Sequence, residues 1–378
     1  MTTAAPTEVR SYLDHAGIGL VRPTVRAAMT RVIDEVLARG STEYGQFFAA
    51  RGQVRAAAAA RLECDPDEVA LVANTSTGLH LVADGLDWRP GDEVVVFERD
   101  FPANVQPWRR LTEAGVRLRW VPQRAGGYDL DDVRAAIGPA TRLVAVSHVN
   151  FLTGFRIDLD ALCALAAEHA ALVCVDAVQS AGVVPLSLAR TPIDFLVAGG
   201  HKWLGGPPGT GMFFCRAARL ELLRRAPLGW FGYDRSDLLF GQGPGHLLYD
   251  LPPRPAARRF EGGMLNFVGI VGFGAALAEI DAVGMDAIWA RVQRLTAMLR
   301  AGVTERGYVL AGPDDPDRSS GIVTFRSPAG DRLDDVHARL LAGGCRCSYP
   351  DGHIRFSPHY WTADDEIEVA LDLLPPRT

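Results

Sequence analysis

Asp194-Phe195-Leu196-Val197-Ala198-Gly199-Gly200-His201-Lys202-Trp203-Leu204-Gly205-Gly206-Pro207-Pro208-Gly209-Thr210-Gly211-Met212-Phe213-Phe214-Cys215 decides how this chain is read. Its two short apolar runs, Asp194–Ala198 and Gly211–Cys215, read as buried strands. The loop between them is rich in glycine, so its backbone can approach a ligand closely. It sets a lysine just beyond the carboxyl end of a strand, where open α/β sheets bind their ligands.

Lys202 is the only lysine in 378 residues; the other 38 of the 39 basic residues are arginine. Such a composition replaces lysine wherever charge alone is wanted. Arginine stays protonated and cannot form an imine, whereas a lysine amine can. The alternative is a surface lysine that persisted by chance. Twenty-six residues earlier, the predicted strand Leu172–Val175 ends in Asp176. Alone, Asp176 reads as a strand-end turn residue. Paired with Lys202 it suits pyridoxal 5'-phosphate (PLP), where the lysine forms a Schiff base and a carboxylate keeps the pyridine nitrogen protonated.

Outward from this stretch, further strands are predicted at Val69–Ala73, Glu93–Phe97, Val116–Val121 and Arg142–Ser147. Helical patterns at Leu79–Leu86, Asp131–Ile137 and Leu159–His169 alternate with them. This alternation predicts βαβ units on a mostly parallel sheet. The Pro- and Gly-rich Gly241–Pro255 separates that unit from helices at Asn266–Val283 and Asp286–Arg306. Strands near Gly321–Arg326 and His353–Ser357 then flank a helix near Asp334–Leu341, a small α/β domain. The expected division is residues 16–255 for the large domain, with 1–15 and 256–378 forming the small one.

Asp176-Ala177-Val178-Gln179-Ser180-Ala181-Gly182, followed by His201-Lys202-Trp203-Leu204-Gly205-Gly206-Pro207-Pro208-Gly209-Thr210-Gly211, resembles the class V aminotransferase family of fold-type-I PLP enzymes. That family includes cysteine desulfurases, isopenicillin-N epimerase-like proteins, kynureninases and carbon–sulfur lyases. The resemblance spans nearly the whole chain and implies the aspartate aminotransferase-like fold. It implies Asp176 on the pyridine nitrogen, Gln179 near the ring hydroxyl, and Lys202 as the imine lysine.

Other segments extend the site. Asn74-Thr75-Ser76-Thr77-Gly78 follows a strand and opens a helix, and a helix N-terminus attracts anions. On its own it is an ordinary cap; with the resemblance it becomes a phosphate cup using Ser76 and Thr77, with His201 close by. The family often has serine where Gly199 stands and threonine where Met264 stands. Within Asp100-Phe101-Pro102-Ala103-Asn104, Phe101 resembles the residue that stacks on the cofactor ring, the alternative being a core role. Asn150, in Ser147-His148-Val149-Asn150, is a polar candidate near cofactor or substrate. Ile354-Arg355-Phe356-Ser357 resembles the strand whose arginine grips the substrate carboxylate through paired hydrogen bonds. Trp230, in Leu228-Gly229-Trp230-Phe231-Gly232-Tyr233, is a candidate aromatic substrate contact or a packed loop residue.

Composition narrows the classes. With 48% hydrophobic residues, 22% charged residues and a net charge of −6, the chain fits a globular enzyme and not a nucleic-acid scaffold. No stretch reaches the roughly 20 apolar residues of a membrane span. Met1 to Arg10 lacks the pattern of a secretory signal, and no DNA-binding extension is expected before Ser11. The six cysteines show neither a disulfide framework nor zinc spacing, so a cytoplasmic, reduced protein without metal is expected. Only seven residues separate Cys347 from Arg355, with no inserted loop to carry a thiol to substrate, so Cys345 and Cys347 read as buried small hydrophobes. The leading expectation is a carbon–sulfur β-lyase on a cysteine-type amino acid. An aminotransferase, an epimerase and a kynureninase-like hydrolase stand next; a cysteine desulfurase and a non-catalytic PLP-fold binding protein stand further off. A homodimer with shared active sites is expected, the partner supplying the segment around Glu261–Asn266.

Overall fold

The computed structural model describes residues 8–240 and 244–377. Part of the expected signal-free N-terminus (residues 1–7) and part of the separator Gly241–Pro255 (residues 241–243) lie outside the described residues. The chain starts with a two-residue strand, β1 (Ser11–Tyr12), then two helices, α1 (Pro23–Arg39) and α2 (Tyr44–Leu62). The large sheet follows: β2 (Val69–Leu71), α3 (Thr75–Gly85), β3 (Glu93–Phe97), α4 (Gln106–Arg110), β4 (Arg117–Val121), α5 (Leu130–Ala136), β5 (Thr141–Ser147), α6 (Leu159–Ala167), β6 (Leu172–Asp176), β7 (Phe195–Gly199) and β8 (Gly211–Cys215). Its strand order is β2-β8-β7-β6-β5-β3-β4. Six of the seven strands run in the same direction, and β8 alone is reversed, pairing antiparallel with both β7 and β2. The fold is the expected α/β architecture with a mostly parallel mixed sheet.

Alternation along the strands builds two cores. Val95 and Phe97 pack on one face with α2, α6 and Ile270, Phe273 and Leu277. Val94 and Val96 pack on the other with Leu79 and Val82 of α3 and with Trp108. Strands buried on both faces read as continuous apolar runs, so they are visible in sequence.

Beyond α7 (Phe267–Val283) and α8 (Met285–Glu305), the strands β9 (Val309–Leu310), β10 (Val323–Arg326) and β12 (Ile354–Phe356) form a three-stranded antiparallel sheet. Helices α9 (Asp334–Ala342) and α10 (Asp364–Leu373) cover it, and β11 (Cys345–Arg346) pairs with β1. Leu13 is fully buried in this third core with Leu295, Leu299 and Phe356. The division drawn at residue 256 puts α7 with the smaller unit; in the structure its Ile270, Phe273, Leu277 and Ile280 lie in the first core. Among the described residues no single helix is long and apolar enough to cross a membrane.

Candidate active site

The carboxyl ends of β3, β5, β6 and β7 converge, and each delivers one polar or aromatic group. Asp176 ends β6, paired in register with Ser147 on β5 and Val197 on β7. It is 2% exposed, and its Oδ1 accepts a 2.9 Å hydrogen bond from the Val178 N–H. Burial pushes its carboxyl up to about 7; the Val178 hydrogen bond opposes this, the neighbouring Asp100 adds to it, and the Lys202 ammonium opposes it. Lys202 follows β7 in a loop closed by Gly200 N–H to Thr210 O and Gly205 N–H to Lys202 O, with Gly205 at φ +64°. Burial pushes its ammonium down to about 8, against the pull of Asp176 and Asp14, and Arg355 pushes the same way as burial.

Phe101 presents its ring face to Lys202, with Nζ 5.6 Å from the centroid. The ring is 41% exposed, unlike a core phenylalanine, and Phe151 meets it edge-on at 5.1 Å. Asp100 holds the turn. Its carboxylate accepts from the Phe101 N–H at 2.7 Å, from Asn104 Nδ2 at 3.0 Å and from the Ser147 N–H at 3.3 Å.

At the other edge, Asn74 caps α3, its Oδ1 accepting from the N–H and the hydroxyl of Thr77 at 2.9 and 3.1 Å. Ser76 stands exposed in the first turn. The Thr75 hydroxyl, which sequence reasoning passed over, accepts from the Gly199 N–H at 3.0 Å. A Cβ on Gly199 would lie 3.0 Å from the His201 ring and 3.2 Å from the Thr75 Oγ1. Glycine at 199 therefore leaves room for both groups. Burial, then the neighbouring Lys202, lowers the His201 pKa, which favours a neutral ring.

Other expected residues are placed differently. Gln179 is 3% exposed; its Nε2 donates to Ala16 O at 3.0 Å and its Oε1 accepts from Trp203 Nε1 at 2.8 Å, which leaves one amide hydrogen for a ligand. The Asn150 amide is spent on the chain: it donates to Arg99 O and the Tyr128 hydroxyl, and it accepts from the Leu152 and Thr153 N–H groups. Asn150 thus holds its loop and presents no free group. Trp230 stacks on Phe231 at 3.7 Å, and a Cβ on Gly263 would lie 3.4 Å from its Nε1, so it stands on the 262–263 loop. Arg355 is 5% exposed at the centre of β12, with Nε donating to Ser348 Oγ at 2.9 Å and Nη1 to Phe151 O at 2.8 Å. Its third partner, Asp14 at 3.5 Å, was not foreseen.

These residues fit a phosphorylated pyridine aldehyde. The donor set is a buried amine of lowered pKa, a buried carboxylate on the adjacent strand, an aromatic face and a hydroxyl-bearing helix N-terminus. Such a site on such a sheet defines a PLP-dependent enzyme of the α/β class. Residues 11–348 match the aminotransferase class-V family, and the chain belongs to it. A probable cysteine desulfurase of Methanothermobacter thermautotrophicus is 30% identical over 385 residues, covering 96% of this chain and 93% of the relative. The isopenicillin N epimerase of Streptomyces clavuligerus is 29% identical, covering 86% and 84%. Among solved structures, the apo cysteine desulfurase of Thermococcus onnurineus superposes with a TM-score of 0.84 at 25% identity, covering 96% of this chain and 93% of that one. The cystine C–S lyase C-DES, in complex with cysteine persulfide, gives 0.87 at 23% identity, covering 97% and 98%, a likeness of fold.

Proposed function

We propose that the protein is a carbon–sulfur β-lyase acting on a cysteine-type amino acid, with PLP carried by Lys202. The observation that carries the cofactor assignment is the pairing of Lys202 and Asp176, which shift one another electrostatically from adjacent strand ends. Bound PLP supplies an electron sink for charge left on the substrate α-carbon. Asp176 would hold the proton on the pyridine nitrogen, Phe101 would cover one ring face, and Ser76, Thr77 and His201 would lie about the phosphate. Gln179 would offer its remaining amide hydrogen to the ring hydroxyl. Arg355 would grip the substrate carboxylate, and the Lys202 amine would serve as the base for the α-proton.

The choice of a lyase over a desulfurase rests on the thiols. Five of the six cysteines are buried, Cys345 and Cys347 at 0% and 7% exposure inside the third core. Cys64 is half-buried, and burial pushes its thiol up to about 12. The hydrogen bond with Cys347 holds the Cys345 thiol below its ordinary range, but Cys345 is fully buried and the other thiols are buried or half-buried, so none stands open to a bound substrate. The unpaired thiols also favour a cytoplasmic setting. Exposed apolar residues on the 262–266 loop and elsewhere favour a homodimer.

Mixing the holoenzyme with cysteine, cystine, cysteine conjugates and other amino acids tests the reaction. Pyruvate with ammonia is the expected result. A keto acid without ammonia would mean transamination, and a D-amino acid epimerisation. Alanine from cysteine that disappears in the Cys345→Ala/Cys347→Ala double variant would restore the desulfurase reading.

A further inference from the structure

Asp14 follows β1 and is pinned to the small sheet by a bridge to Ser357, with the Ser357 N–H donating to Leu13 O at 2.8 Å. The chain then turns tightly, the N–H groups of Gly17 and Ile18 both reaching Asp14 O at 3.0 Å. The turn brings Gly17 close to the Asp14 carboxylate, and a Cβ at 17 would lie 2.6 Å from Asp14 Oδ2, so a side chain there would displace the carboxylate. Two residues on, the Gly19 N–H donates to His201 O at 2.7 Å, and a Cβ on Gly19 would lie 2.4 Å from Lys202 O. One short segment thus ties the sheet that carries Arg355 to the peptide that carries Lys202.

Its charged member faces Arg355. Asp14 Oδ1 lies 3.5 Å from Arg355 Nη2, buried and without a hydrogen bond, while the side chain as a whole stays 25% exposed. Arg355 Nε and Nη1 are already committed to Ser348 and Phe151. A carboxylate that docks on the guanidinium therefore meets a second, fixed carboxylate. An ammonium on the same α-carbon meets it favourably.

We propose that Asp14 is a specificity residue that makes Arg355 read the paired charges of an amino-acid zwitterion and reject a bare carboxylate. The proposal rests on the assignment of Arg355 as the substrate-carboxylate residue. A like charge within about 7 Å, at the effective screening of a protein site, weakens binding by at least about tenfold, and the α-ammonium offsets this. The site then takes α-amino acids and excludes carboxylic acids that lack the amine, including the keto acid and other deaminated products of its own reaction.

Equilibrium binding of propionate and of L-alanine to the PLP-loaded protein whose Lys202 imine has been reduced with borohydride, so that no imine exchange contributes, read by calorimetry, tests this. Asp14→Asn should tighten propionate by about tenfold and weaken L-alanine by about threefold, effects of opposite sign that general structural damage does not produce. Asp14→Ser, read by the same ratio, serves if Asp14→Asn does not fold. Arg355→Gln should weaken both ligands by about tenfold or more. If Arg355→Gln weakens both but removal of the Asp14 charge leaves the alanine-to-propionate ratio unchanged, the Asp14 proposal is overturned and the Arg355 assignment stands. If propionate binding survives Arg355→Gln, both fall.

Discussion

At the scale of single residues, the Lys202–Asp176 pair combines two unfavourable burials that offset each other. Burial lowers the lysine to about 8, so more of its amine is neutral near pH 7 than in an ordinary lysine. Capture of PLP by the apoenzyme should therefore quicken with pH up to about 8 and level off above it. Stopped-flow absorbance checks this, and a rate still climbing beyond pH 10 would contradict it. Borohydride reduction and peptide mapping have one lysine side chain to find, and the adduct is expected on Lys202. Asp176 works in the opposite sense. Its carboxyl stays protonated to about 7 in the fold, whereas an unfolded carboxyl ionises near 3.8. The unfolded state then binds fewer protons, so apoenzyme stability falls between those values by up to about 1.4 kcal/mol per pH unit. Asp176→Asn should raise the melting temperature of the apoenzyme at pH 8 while lowering kcat about 100-fold or more, a loss on the scale of a preorganised electrostatic contact. Near-normal turnover would refute the role. Lys202 and Asp176 were legible because few chemistries need that pair at adjacent strand ends. Asp14 and Thr75 were not, because each acts through a partner distant in sequence: 341 residues separate Asp14 from Arg355.

At the scale of elements, the phosphate cup depends on how closely α3 lies on the sheet. A Cβ on Gly78 would come within 2.4 Å of Val197 Cγ1, so this helix packs its first turns against β7 with no room for a methyl. Gly78→Ala should lift the N-terminus of α3 away from Gly199 and His201. The expected outcome is a loss of about 1–3 kcal/mol in stability, typical of overpacking, together with weaker PLP retention on dialysis. Unchanged retention would mean that α3 is not the phosphate site. Behind Lys202, His359 sets a second constraint. Its Nδ1 accepts from the Tyr360 N–H at 3.0 Å, so its Nε2–H donates to Trp203 O at 2.9 Å. His359→Phe leaves that buried carbonyl unpaired and should cost about 1–3 kcal/mol in thermal or denaturant unfolding. The strands of the large sheet were visible as apolar runs bounded by glycine, with ends off by a residue or two. The helices α1 and α2 were missed. In α2, Gln53-Val54-Arg55-Ala56-Ala57-Ala58-Ala59-Ala60-Arg61 carries too little apolar bulk for a stripe, and its burial comes from packing on α7. The short β1 and β11 exist only as each other's partners, so neither segment signals a strand by itself.

At the scale of the whole molecule, the described surface carries large apolar groups that a monomer would leave in water. Leu37 is 85% exposed, Tyr249 88% and Met264 56%, the last on the loop that begins at Gly262 with φ +74°. Met264 borders an open pocket with Leu71, Ile270 and Phe273 of its own chain. The phosphate cup of one chain offers the N-terminus of α3 and His201, the Gly199 N–H being held by Thr75. A neighbour's 262–266 loop would add groups to it and cover these apolar side chains together. A twofold interface does this twice from one surface. It should bury well over about 2,000 Å² and be apolar at its centre. Sedimentation of the PLP-loaded protein is expected to show a dimer, and a stable, active monomer at low concentration would rule out a shared site. Complementation separates sharing from mere association. Lys202→Ala chains and Met264→Arg chains should each form inactive homodimers. In a mixed dimer one site carries both defects and the other neither, so about half of the normal activity should return. If each chain completed its own site, the mixture would stay inactive however tightly the chains associate, because every site would then hold one defect.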